Sequence, residues 1–111
     1  MEEKQIALEN IRNTVTGNPI VLYMKGTPQF PQCGFSGRAA HVLKACGVTD
    51  YVAVNVLEDQ GSYDYLKFYA DFPTFPQCYI RGELIGGSDI MKDMYDQGEL
   101  QKLVQIATAA Q

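Results

Sequence analysis

The chain has 111 residues, 46% of them hydrophobic and 20% charged, with a formal net charge of −4. That length fits one domain, residues 1–111, and that composition argues for a packed core and against a disordered chain. No apolar run nears the roughly 18 residues of a membrane span, and no Lys/Arg cluster offers a footprint for nucleic acid or a membrane surface; neither is an expected partner. The start, Met1-Glu2-Glu3-Lys4, is acidic with no apolar block behind it, unlike a signal peptide.

Residues 2–16 read as a helix with Leu8, Ile11 and Val15 on one stripe, stopped by Gly17-Asn18-Pro19. The continuous apolar run Ile20 to Met24 fits a strand buried on both faces. A loop from Gly26 to Gln32 follows, then a helix from Gly34 to about Cys46. Its inner face is expected to carry Phe35, Ala39, Val42, Leu43 and Cys46, and Gly47 closes it. Tyr51 to Val56 reads as a strand, and Gln60 to Ala70 as a helix with Leu66, Tyr69 and Ala70 inward. Phe72 to Pro76 is a rigid connector. Two short strands, about Gln77–Ile80 and Leu84–Gly86, form a hairpin around Arg81-Gly82-Glu83. Gly86-Gly87-Ser88-Asp89 leads into a helix with Ile90, Met91, Met94 and Tyr95. A last helix carries Leu100, Leu103, Val104 and Ala107, and the tail Thr108 to Gln111 is expected to fray. The order α-β-α-β-α-β-β-α-α implies an α/β fold: a four-stranded mixed sheet with helices on both faces, built from a parallel β-α-β unit and an antiparallel hairpin.

Three cysteines are an odd set, which fits free thiols in a reducing compartment, taken as the cytoplasm. Cys33 stands where a loop meets a helix. The first helical N–H groups lack partners and carry partial positive charge, which favours thiolate over thiol, and Lys25 adds a full charge. A part-exposed, low-pKa thiolate is the form of cysteine that attacks or binds metal. Three residues on stands Ser36 where a C-x-x-C motif would hold a second thiol, so a two-thiol cycle at this motif is closed. Cys46 is 13 positions along the same helix, about 20 Å away at 1.5 Å per residue, beyond the about 7 Å limit of a disulfide, and reads as core. Cys78 also reads as a small core residue, with a resolving role left open. The single histidine, His41, reads as a surface residue.

The segment Cys33-Gly34-Phe35-Ser36 resembles the signature of the monothiol, CGFS-type glutaredoxins. Tyr23-Met24-Lys25-Gly26-Thr27-Pro28 stands before it. Phe72-Pro73-Thr74-Phe75-Pro76-Gln77, Gly82 to Asp89, Met94-Tyr95 and Gly98-Glu99-Leu100 follow in the family's order and spacing. The resemblance runs from about Asn18 to Leu103 and is nearest to the short, single-domain bacterial form. It implies a thioredoxin-like fold, a cis peptide before Pro76, and glutathione as ligand.

Glutathione carries two carboxylates, one ammonium and one thiol. The resemblance places its glycyl carboxylate on Lys25 and its cysteinyl unit against the Phe75 backbone, as strand pairs with strand. Ser88 and Asp89 open a helix whose N–H groups suit the γ-glutamyl carboxylate; Asp89 also answers the ammonium. The same two residues fit a plain helix N-cap. Gly86 and Gly87 allow close approach of the ligand's backbone. The family often has a basic residue where Tyr63 stands here. A phenol carries no charge at neutral pH, so Lys25 is left as the main cation and weaker glutathione binding is expected.

A [2Fe–2S] cluster takes four thiolates. The resemblance supplies them as two Cys33 thiolates from two subunits and two glutathione thiols. It implies a cluster-bridged homodimer that is a monomer without cluster, a role in cluster assembly, storage and transfer to iron–sulfur recipient proteins, and pairing with a BolA-like protein. The competing reading is a glutathione-dependent oxidoreductase. There the Cys33 thiolate attacks a mixed disulfide, keeps the glutathionyl group, and a second glutathione releases it as glutathione disulfide. A third reading is an adaptor acting through BolA-like partners, with the cluster as a sensor.

Overall fold

The computed structural model describes residues 2–109. The chain runs α1 (Glu3–Gly17), β1 (Ile20–Met24), α2 (Gly34–Ala45), β2 (Val52–Asn55), α3 (Gln60–Tyr69), β3 (Gln77–Ile80), β4 (Glu83–Gly86), α4 (Ser88–Asp96) and α5 (Glu99–Ala109). The order matches the sequence reading. Thr108 and Ala109 are helical and not frayed; the expectation for Ala110 and Gln111 lies outside the described residues.

The four strands form one sheet in the order β2-β1-β3-β4. β1 pairs parallel with β2, Val21 opposite Val52, and antiparallel with β3, Leu22 opposite Cys78. This central position explains its uninterrupted apolar run, since all five residues are buried. Alternation along β1 divides the core in two. Ile20, Leu22 and Met24 pack with Ala39, Val42 and Leu43 of α2, Met91 of α4, and Leu100 and Val104 of α5. Val21 and Tyr23 face the other way, onto Ile11 and Val15 of α1 and Leu66 of α3. Tyr79 joins this second side, its ring edge-on to both Tyr23 and Tyr69 at 5.9 Å.

Local signals set the element ends. α2 closes with the Gly47 N–H on Lys44 O and the Val48 N–H on Leu43 O, a Schellman arrangement with Val48 and Leu43 in the same core. The β3–β4 hairpin is tighter than the sequence implied. Its loop is only Arg81-Gly82, at φ 53° and 84°, as a type I′ turn requires, and Glu83 already belongs to β4. Phe35 departs from its expected place. It is the second residue of α2 and 56% exposed, because its side of the helix borders an open cleft, while the next residue, Ser36, is buried. Cys46 is part-buried at the margin of the α2-side core, while Cys78 lies at its centre with no exposure. His41 is exposed. No helix among the described residues is long and apolar enough to cross a membrane.

Burial of these side chains has a pH consequence. Burial pushes Cys78, ordinarily near 9.0, up to about 12, and Tyr23, ordinarily near 10.0, also up to about 12. Tyr79 is raised as well, by burial first and by its tyrosine neighbours second. Above about pH 9 the unfolded chain therefore releases protons that the folded chain keeps, and stability falls as pH rises. The midpoint of thermal unfolding should decline from about pH 9 to pH 11, and less so in Tyr79→Phe. A midpoint that stays level over that range contradicts this account.

Candidate functional site

Four segments converge at one end of the sheet: the exit of β1, the start of α2, the exposed face of α3 that carries Tyr63 and Lys67, and the connector from Phe72 to Gln77 with the start of α4. Between them lies an open cleft of about 830 Å³, lined by Lys25, Cys33, Tyr63, Lys67, Phe75, Pro76, Gly87, Ser88 and Asp89 among others. This is within the usual range for a small-molecule site. Of the residues singled out in the sequence, Lys25, Cys33, Tyr63, Phe75, Pro76, Gly87, Ser88 and Asp89 line this cleft, whereas Gly86 is buried and outside the lining.

Cys33 is the N-cap of α2, in extended backbone conformation, and part-exposed. Its thiol is held below its ordinary value of 9.0, chiefly by the Ser36 backbone N–H. The Phe35 N–H, the Lys25 charge and the Ser36 hydroxyl add to this, against a smaller opposing effect of burial. The sulfur closes no capping hydrogen bond of ordinary geometry, so this is attraction from oriented amides at the helix start. Cys46 and Cys78 are pushed the other way by burial.

Ser36 does more than withhold a second thiol. It is fully buried, and its Oγ accepts a hydrogen bond from the Lys25 N–H at 3.0 Å, tying the end of β1 to the first turn of α2. The loop between is closed as well. Gln32 N–H donates to Lys25 O at 2.9 Å, Thr27 and Phe30 exchange backbone bonds, and Gly26 N–H donates to Asn55 Oδ1 at 2.9 Å. Gly26 makes this closure possible: it sits at φ 90°, and a Cβ there would lie 2.6 Å from Gln32 N and Phe30 O. Phe30, at the tip, is 75% exposed.

The opposite wall is the connector, with a cis Phe75–Pro76 bond as the resemblance implied. Gln77 Nε2 donates to the carbonyls of Phe72 and Thr74 at 2.8 and 3.2 Å. Among the described residues the connector's hydrogen bonds pass over Phe75, whose N–H and C=O are left without a backbone partner beside the cleft. The Phe75 ring packs 5.7 Å from that of Tyr63.

At the far end, the N-cap of α4 is Gly87, not Ser88, and it offers no side-chain cap. Ser88 and Asp89 are the first two helical residues, so their amides have no intrahelical partner. The N-cap alternative for these two side chains is thus set aside. A Cβ on Gly87 would stand 3.3 Å from Pro76 O, so a side chain here would press on the connector. The Asp89 carboxylate is paired with Arg38 Nη1 at 3.1 Å, both exposed.

Sequence reasoning missed three of these participants. Arg38 reaches Asp89 from 51 positions away, and no local pattern signals it. Ser36 was read only for the thiol it lacks. Lys67 was legible, because it follows Tyr63 by one helical turn and shares its face. Among the described residues no three His, Cys, Asp or Glu side chains gather as a metal-binding group.

A four-stranded mixed sheet with helices on both faces, carrying an activated cysteine at a helix N-cap opposite a cis-proline connector, defines the thioredoxin-like class of thiol proteins. Comparison with known proteins narrows this. The glutaredoxin family model matches residues 20–85. A Legionella pneumophila protein named "Probable monothiol glutaredoxin GrlA" is 52% identical over 90 residues, covering 81% of this chain and 100% of its own. Reduced apo GrxS14 from poplar superposes with a TM-score of 0.76 at 44% identity, over 91% of this chain and 92% of that one. The holo form of glutaredoxin C1 from Populus tremula × tremuloides gives 0.85 at 28% identity, over 98% and 96%. The chain belongs to the glutaredoxin family and is related to bacterial monothiol glutaredoxins.

Proposed function

We propose that the chain is a CGFS-type monothiol glutaredoxin whose cleft binds glutathione, and that two copies hold a [2Fe–2S] cluster as cargo through two Cys33 thiolates and two glutathione thiols. The observation that carries this is the state of the three thiols. Of the three, only Cys33 combines part-exposure with a lowered pKa, it lies on the lining of a tripeptide-sized cleft, and the position three residues on is a buried serine.

The residues fit the ligand. Lys25 suits one carboxylate, the unpaired Phe75 backbone suits a central peptide unit, and the Ser88 and Asp89 amides suit the other carboxylate. Asp89 answers the ammonium only by giving up part of its Arg38 contact, an exchange that costs little because exposed pairs contribute about 0–1 kcal/mol. One chain supplies one suitable thiolate, and a cluster needs four. A shared cluster with exchangeable glutathione ligands suits delivery to recipient proteins, homodimers when loaded, and mixed pairs with BolA-like proteins. The ordered, exposed 27–32 loop borders Cys33 and suits that partner contact, and a cytoplasmic setting suits free thiols.

Anaerobic incubation with iron, sulfide and glutathione should give a dimer with a [2Fe–2S] visible spectrum. Cys33→Ser, or omission of glutathione, should abolish both spectrum and dimer. A colourless monomer under full conditions overturns the carrier role. Turnover of a small glutathione mixed disulfide by that monomer would make the protein a monothiol oxidoreductase instead.

A further inference from the structure

The turn beside Cys33 is closed on itself. Gly26 and Pro31 form a short antiparallel bridge, the Phe30 N–H is shared by the Thr27 carbonyl and hydroxyl, each at 3.1 Å, and Gln32 Nε2 donates to Phe30 O at 3.3 Å. Among the described residues, one side-chain atom ties this turn to β2. Asn55, part-buried at the end of β2 and opposite Met24, accepts with Oδ1 from the Gly26 N–H at 2.9 Å and from the Leu57 N–H at 3.0 Å. Oδ1 thereby joins two loops that leave neighbouring strands at the cleft end of the sheet. One runs past Phe30, 75% exposed, into Cys33; the other runs past Leu57, 52% exposed, into α3. Asn55 Nδ2 makes no hydrogen bond among the described residues, so the tie is made by the acceptor alone.

We infer that Asn55 is a positioning residue that holds the 26–32 turn in the form in which two copies meet around a shared cluster. This rests on the carrier reading and deepens it. Two Cys33 thiolates on one cluster bring the two chains together at Cys33, and the turn ends at the residue before it. Its exposed side, with Phe30 at the tip, falls within that contact. An aromatic side chain contributes most to a contact when it is presented already ordered, since any ordering left to the moment of pairing subtracts from affinity. The bonds inside the turn fix its shape but not its direction. The Asn55 bond fixes direction, because it anchors Gly26, where the chain leaves β1, to the neighbouring strand. Both donors are backbone N–H groups, so an aspartate can replace this asparagine and an alanine cannot.

The test compares the full chain with Asn55→Ala, Asn55→Asp and Val104→Ala, the last a core change on α5 that lowers stability without touching the turn. In the cluster-free chain, hydrogen exchange is followed at the Phe30 and Gln32 N–H groups, whose own partners, Thr27 O and Lys25 O, are intact in all four proteins. Asn55→Ala should speed their exchange about tenfold, the loss expected when one hydrogen bond no longer opposes local opening. Asn55→Asp should restore it, and Val104→Ala should leave it unchanged. The midpoint of Cys33 alkylation against pH should stay in place throughout, because the α2 amides that lower this thiol are untouched. In anaerobic dilution, the cluster-loaded dimer of Asn55→Ala should come apart at about three- to tenfold higher concentration, and those of Asn55→Asp and Val104→Ala near the unmodified value. Unchanged exchange at Phe30 and Gln32 in Asn55→Ala, a loaded dimer as tight as the unmodified one, or no rescue by Asn55→Asp overturns the role of Asn55 while leaving the carrier reading standing. An unmodified chain that forms no loaded dimer overturns both.

Discussion

Iodoacetamide added to the native protein near neutral pH should alkylate Cys33 first, Cys46 far more slowly, and Cys78 only as the chain opens. Three thiols of one chain serve as each other's controls. The thiolate is the attacking form, so rate follows both pKa and access. Cys33 has both in its favour, with the α2 amides lowering its pKa and part of its surface open. Cys46 is part-exposed but raised by burial. Cys78 is fully buried on β3, with β1 and β4 on either side, and raised to about 12. At pH 7 a group of that pKa is ionised in roughly one molecule in 10⁵, so its labelling measures the population of opened chains. Mass spectrometry of time courses from about pH 5 to 9 should show the Cys33 rate rising and levelling below the ordinary thiol value. Ser36→Ala should move that profile upward only slightly, since the backbone N–H at position 36 outranks the hydroxyl. A Cys33 profile centred at or above 9, or Cys46 labelled as fast as Cys33, removes the basis for an activated thiol at this site.

The contrast between these cysteines also marks how far sequence alone reaches here. The β1 run was legible because a strand buried on both faces must be apolar throughout, and the alternation along it allots each residue to one of the two cores. The place of Cys33 was legible because loop and helix signals meet at one residue, and helix-start electrostatics are local. Phe35 was misjudged because helical periodicity reports a direction around the axis and not whether anything lies there; on Phe35's side of α2 lies the open cleft. The lining of the cleft was only partly legible. Tyr63, Phe75 and Ser88 came from the family resemblance, which transfers positions but not what surrounds them. Arg38 beside Asp89 is a contact between α2 and α4, and such contacts exist only once the sheet has set the helices side by side.

Gln77 shows a third limit, and it carries the largest stability effect expected of a single change near the cleft. In the sequence it is one polar residue at the start of a strand. In the fold it is 1% exposed and joins the connector to the core by three hydrogen bonds: Nε2 to the Phe72 and Thr74 carbonyls, and Oε1 from the Tyr79 hydroxyl at 2.7 Å. Replacing it with leucine keeps most of the volume but strands the Tyr79 hydroxyl and both carbonyls. Each buried group left without a partner costs about 1–3 kcal/mol, and some find water, so Gln77→Leu should lose about 2–4 kcal/mol in urea unfolding. Tyr79→Phe removes one of the stranded groups; added to Gln77→Leu it should cost less than it does alone. Gln77→Glu distinguishes donation from acceptance. Ionised, it still accepts from Tyr79 but offers nothing to the two carbonyls and buries a charge; protonated, it regains one donor. Burial raises the pKa of such a carboxyl, so the variant's deficit relative to the unmodified chain should shrink as pH falls from about 7.5 to 4.5. Because the same bonds hold the connector on either side of Phe75, Gln77→Leu should also weaken glutathione binding while leaving the alkylation rate of Cys33, across the cleft, near its normal value. Unfolding of Gln77→Leu within about 0.5 kcal/mol of the unmodified chain would show that the connector is held by backbone packing and not by this side chain.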